Sequence, residues 1–387
     1  MHRLLAGVSL LGVAAATAAA SSIGYSQSNL VSDIPGLASF TDPNLVNPWG
    51  ISFSPTTPFW IADNGTGVAT LYTGVGSPQS LIVTVPPAPG SPAGTISTPT
   101  GTVFNSTAAG GSFGGDRFLF ATEDGTISGW QPSLGTSAAV RVDSSASGAV
   151  YKGLAIGTNR IYATDFANGN VDVFDTNYVR VSLAGAFIDP TLPSGYSPFG
   201  IENIGGSIYV TYAKTPLAGN DQVPGPGQGF VDKYDANGIL QQRLILGVPG
   251  NPTDPLNAPW GMALAPASFG DLSNMLLVGN FGDGRINAFD PVTGAFISSL
   301  NNSSGTPITI DGLWALSFGN TGPGFSASTL YFTAGLNNEM DGLFGSLQQA
   351  QATPEPSTGL LVMGVLLLAA TIRIGRMSSV RIAQKRR

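Results

Sequence analysis

The side chains able to do chemistry recur in two settings. One is an acidic or amide-bearing turn, as in "ADNG", "TEDG" and "FGDG", which contributes Asp63, Asn64, Glu123, Asp124, Asp165, Asn280, Asp283, Asn338 and Glu339. The other is a proline, aromatic, glycine triplet carrying Trp49, Phe199 and Trp260. Carboxylate and amide oxygens offered by several turns at once are the donors a hard cation such as Ca²⁺ selects. Cysteine is absent and the single histidine is His2, so thiolate chemistry is excluded, as is any Ser-His-Asp triad in the body of the chain. A hydrolase built from these residues would use the bound metal to polarise a carbonyl and a carboxylate as the base.

A repeat must bring these residues together. "NPWGISF", "TPTGTVF", "YKGLAIG", "SPFGIEN" and "APWGMAL" open five successive units, and "DGLWALSF" opens a sixth, looser one. Glycines 50, 101, 153, 200 and 261 mark a period near 50 residues with one insertion. In each unit a second and third strand follow with period-two alternation, separated by Gly, Asn and Asp turns that supply positive φ. Units one to five add a fourth strand, "RVSLAGAF" in the third. Unit six has none, while "SNLVSDI" at 28–34 stands unassigned before unit one. The economical arrangement is an all-β, six-bladed β-propeller over 28–350 whose last blade takes its outer strand from the N-terminal side. A two-domain β-sandwich is the alternative.

In such a meander the acidic turns and the triplets converge on one mouth of the central channel, the expected ligand face. Both also have plain roles, the acids in forming turns and the triplets in packing blades. The insertion "AKTPLAGNDQVPGPGQGF" (213–230) falls on that face, where it could cover the channel or contact a partner.

The two ends differ from the body. Residues 1–20 have the basic start, apolar run and small residues of a signal peptide. Residues 353–387 begin with Pro354, Glu355, Pro356 and Ser357, continue through an uncharged apolar stretch expected as a transmembrane helix at 357–372, and end in six bases. Residues 28–353 hold nine bases against 22 acids, a net charge of −13, which argues against phosphate-neutralising binding to nucleic acid.

The tail resembles the PEP-CTERM sorting signal. That likeness implies export, an exosortase as processing partner, anchoring in the inner membrane before processing, and later residence at the cell surface or outside among exopolysaccharide and envelope proteins. The repeat, most clearly "GLAIGTNRIYATDFANGNVDVFD", resembles NHL-type six-bladed propellers, and 28–350 as a whole resembles an uncharacterised family of bacterial exported propellers. A resemblance to propeller lactonases implies Ca²⁺ near the axis, although no motif of those enzymes is matched residue by residue. The expected function is an exported, non-enzymatic binding or matrix module; the alternative is a Ca²⁺-dependent lactonase-type hydrolase on the acidic face.

Overall fold

A computed structural model describes residues 24–350 except 321, 323 and 324. The expected signal peptide, the Pro354–Ser357 motif and the apolar helix at 357–372 lie outside the described residues. Among the described residues, no helix is long and apolar enough to cross a membrane.

Six antiparallel sheets form the blades of a β-propeller. Blade 1 contains Pro48–Ser52, Phe59–Asp63, Val68–Tyr72 and Val83–Thr84. Blades 2, 4 and 5 are also four-stranded, with inner strands Pro99–Phe104, Tyr196–Ile204 and Pro259–Leu264. Blade 3 has three strands, Tyr151–Ile156, Arg160–Asp165 and Asn170–Asp175. Its expected fourth strand, "RVSLAGAF", is corrected to a single bridge between Arg180 and Phe174. The reason is local. Ala186 and Phe187 take positive φ, and the backbone N–H groups of Gly185 and Phe187 turn away to donate to Asn237 and Gly238 of blade 4.

Closure of the ring follows the expected plan with a shifted boundary. Tyr25–Ser32 pairs antiparallel with Asp341–Gln349, the third strand of blade 6, so strands distant in sequence share one sheet. Phe40–Thr41 then adds in parallel to its outer side. The third strand of the last blade is thereby paired along its length.

The inner strands explain the triplets. In each of the six the register with the second strand slips at the Xaa-Gly step, or at Trp314-Ala315 in blade 6: between Pro48 and Ile51, Pro99 and Thr102, Tyr151 and Gly153, Pro198 and Ile201, Pro259 and Met262, and Leu313 and Leu316. Bulges of this kind bend a strand and re-aim its side chains. The glycines let neighbouring inner strands approach backbone to backbone. A Cβ on Gly50 would lie 2.6 Å from the Thr100 carbonyl oxygen, on Gly200 2.1 Å from that of Trp260, and on Gly261 2.3 Å from that of Trp314. Threonine hydroxyls add bonds across the same seams, from Thr100 to the Tyr151 carbonyl (2.8 Å) and from Thr164 to that of Phe199 (2.6 Å). Thr333 donates to the Trp49 carbonyl, which joins blade 6 to blade 1.

Apolar packing repeats the same geometry. One buried cluster lies between each pair of successive blades, for example Trp60, Phe118, Phe120 and Trp130 between blades 1 and 2, and a further cluster lies on the axis. Trp60 and Phe118 stack with centroids 4.1 Å apart, an offset aromatic contact that ties the two blades.

Gly200→Ala therefore drives a methyl group into the neighbouring blade's backbone and is expected to cost about 1–3 kcal/mol. Gly110→Ala, with open space around its Cβ position, is expected to stay within about 0.5 kcal/mol of the parent. Urea denaturation of the two variants beside the parent checks both values, and equal stability of the two variants would remove the backbone-contact explanation.

Candidate functional site

The residue just before each seam glycine, or before Ala315 in blade 6, points toward the axis: Trp49, Thr100, Lys152, Phe199, Trp260 and Trp314. All six are buried. Trp49 and Trp314 stack at 3.5 Å between ring centroids, and Trp260 meets both edge-on at 5.9 and 5.7 Å. Phe281 and Phe199 pack on Trp314, and Phe166 packs on Phe199. These rings plug the channel. Trp49, Phe199 and Trp260 therefore meet one another rather than an open mouth, and the relative exposures of 2%, 0% and 8% leave no ring face free for a sugar.

Above the plug a polar chain crosses five blades. Asn47 takes φ of 45° just ahead of Pro48, and its amide accepts from the Trp314 indole (3.0 Å) while donating to Glu339 (2.9 Å) and Asn64 (3.3 Å). Asn64 donates to Glu123 (3.0 Å), which also takes the ammonium of Lys152. Lys152 in turn reaches Asp221 of the 213–230 insertion at 3.2 Å. Its ammonium lies 5.2 Å from the centre of the Trp49 ring and its backbone carbonyl accepts from the Trp260 indole. The side chain is 1% exposed, so this charge is sustained by its two carboxylates and the aromatic faces below. Burial raises the Glu339 carboxyl above its ordinary range, opposed by the Asn47 hydrogen bond and the Lys152 charge.

The expected metal donors thus separate. Asn64, Glu123 and Glu339 join the axial chain. Asp63 lies fully buried, accepting from the Thr70 N–H and hydroxyl, and burial holds its carboxyl well above the usual range. Asp124 accepts from Ser97 and the Thr98 N–H, and Asp165 from Asn168 and the Val150 N–H. Asn280 and Asp283 bond each other and their own turn. Asn338 is exposed with φ of 56°. Among the described residues, no group of three His, Cys, Asp or Glu side chains is placed to hold a metal ion. The donors that do reach the axis already surround an ammonium, so the residues present do not fit a calcium centre, and no reaction step is derived through one.

Lys152, Asn47, Asp221 and Trp314 are the site residues that the motif reading passed over. The signal for Lys152 lay in "YKGLAIG", where a charge stands in the place of Trp49, Phe199 and Trp260. Asp221 lies in the insertion, which leans over the mouth: Gly225 donates to Asn257 of the loop entering blade 5, and a cleft of about 360 Å³ opens between the loop and the Phe166–Gly169 turn.

An uncharacterised mimivirus protein, R648 of Acanthamoeba polyphaga mimivirus, is 34% identical over 336 residues, covering 83% of this chain and 80% of its own. The chain belongs to its family. A second uncharacterised protein of the same virus, L690, is 33% identical over 336 residues, with 83% and 85% of the two chains covered. This corrects the expected assignment to bacterial PEP-CTERM exported proteins: that likeness lay in a tail of about 35 residues, whereas the mimivirus family matches most of the chain and points to a viral setting. No family model matches the chain. Among solved structures, a streptogramin B lyase (TM-score 0.51, 11% identity, 85% of this chain and 99% of that one) shares the propeller fold. The soluble aldose sugar dehydrogenase of Escherichia coli shares it as well (TM-score 0.50, 12% identity, 84% and 99%). At such identities the likeness extends to the fold alone.

Removing one partner of a buried pair strands the other charge. Glu123→Gln is expected to cost about 3–5 kcal/mol, and Glu123→Gln with Lys152→Met to recover much of that loss. Thermal and urea unfolding of the two single variants and the double variant measures the coupling; strictly additive losses would show that the pair is not a unit.

Proposed function

We propose that the protein is a non-enzymatic β-propeller module that binds amine-bearing ligands at the plugged mouth of its channel. The observation that carries this reading is the charge balance over the plug, where Glu123, Asp221 and Glu339 stand around one ammonium. Excess carboxylate in a partly desolvated recess favours a second cation, and the acidic body of the chain steers cations toward it. Asp221 is held to Lys152 but its side chain is 88% exposed, so it can accept from a ligand without leaving its place. The cleft beneath the insertion gives an extended ligand room beside it. Lacking an unengaged base or an open channel floor, the site is better suited to holding a ligand than to cleaving one.

Chitosan hexamer, its fully N-acetylated counterpart and hexalysine serve as probes in calorimetry at low and physiological salt. The amine-bearing probes are expected to bind and the acetylated one not. Affinity is expected to fall as salt rises and to drop about tenfold in Asp221→Asn. Equal binding of the acetylated and free-amine hexamers, or none by any probe, would overturn the proposal.

A further inference from the structure

The opposite end of the channel is built differently. Below the plug the bore opens into a vestibule of about 470 Å³, lined by Ile51, Phe53, Phe104, Ile156, Met262 and Leu316 among others. A narrower space of about 40 Å³ continues upward to Trp260, so the plug makes the vestibule blind. Glu202 lines both parts, and among the described residues no other ionisable side chain lines either.

Its position in the repeat is unusual. Two residues after the seam glycine, or after Ala315 in blade 6, the other blades carry Ser52, Val103, Ala155, Ala263 and Ser317, all small or medium in size. Blade 4 alone places a carboxylate there. Glu202 accepts from the backbone N–H of Asn203 at 3.2 Å, and among the described residues no cation pairs with it. On its own blade it stands opposite Tyr209, which stands opposite Lys233 on the next strand out. The Lys233 ammonium lies 5.6 Å from the centre of the Tyr209 ring. The carboxylate is exposed to the channel yet surrounded by the protein walls of the bore, and desolvation pushes it up to about 7.

We infer that the lower vestibule is a second binding site, for a small amphipathic amine whose apolar body fills the Ile51–Met262–Leu316 walls and whose ammonium pairs with Glu202. A vestibule closed at its inner end, with apolar side chains interspersed among polar ones and one uncompensated carboxylate, has the recognition elements of such a ligand: area to bury and a single charge to fix orientation. The site is independent of the upper mouth, from which the aromatic plug separates it.

Because the ligand must meet the ionised carboxylate, affinity rises from about pH 6 to pH 8, while the ligand's own ammonium stays charged until about pH 10. Below the Glu202 titration, binding displaces its proton into solution.

The test uses 3-phenylpropylamine and the neutral 3-phenylpropanol, followed by calorimetry and ligand-observed NMR on the full chain. The amine is expected to bind about tenfold more tightly than the alcohol, as for one charge-assisted hydrogen bond. Glu202→Gln is expected to abolish that preference, and Asp221→Asn to leave it intact, which separates this site from the upper one. Calorimetry at pH 6.5 in buffers of different ionisation enthalpy is expected to show proton release. Met262→Trp, which fills the vestibule, is expected to exclude both ligands, and its melting temperature shows whether it folds. Equal affinity for amine and alcohol, a preference that survives Glu202→Gln, or no binding by the parent protein would overturn the inference.

Discussion

Backbone approaching backbone at the axis is the constraint on which this structure depends. Six inner strands sharing one narrow bore leave little room for a side chain at the seam, and five of the six seams carry glycine against a neighbour's carbonyl or amide. The sixth carries Ala315 beside Thr333, whose hydroxyl bonds both the Ala315 N–H and the Trp49 carbonyl. Bulges at the same steps turn the preceding residue inward. The requirement that closes the ring therefore also delivers six side chains to one level of the axis, and the plug is a consequence of how the blades meet.

Lys152 puts a charge in one of those six places. Three tryptophans and a phenylalanine fill the bore by packing, but a buried ammonium demands partners. Glu123, Asp221, the Trp49 face and the amide chain through Asn64 and Asn47 supply them from several blades, so that a single substitution in the repeat organises the polar mouth. An ammonium in this setting does electrostatically what a bound cation would do, which explains why the acidic turns do not assemble into a metal cage.

The repeat was legible because its cause is local and periodic: glycine spacing, alternation and turn residues all report the same meander. The shared role of the triplets could be read from Trp49, Phe199 and Trp260, yet their orientation could not, because whether an aromatic faces solvent or its counterparts depends on the bore diameter set by all six blades together. The acidic turns misled for a related reason. Asp63, Asp165 and Asp283 are present for the hydrogen bonds of their own hairpins, and a motif made of turn formers carries no mark of which copies also reach the axis. The fourth strand of blade 3 failed where positive φ at Ala186 and Phe187 diverts the chain toward blade 4, a long-range preference invisible in "RVSLAGAF" itself.

Departures from the repeat proved more informative than its agreements. Lys152 and Glu202 each break the pattern of their column, one before the seam glycine and one after it, and they fall on opposite sides of the plug. A charge placed where every other blade carries a neutral residue costs desolvation energy that the fold does not need to spend. At Lys152 that cost is offset within the chain by two carboxylates. At Glu202 no cation among the described residues offsets it, and the vestibule around that carboxylate is large enough to admit one from outside. The two columns therefore differ in kind: at the mouth the charge is compensated from within and leaves carboxylate in excess, whereas in the vestibule a lone carboxylate faces the space itself.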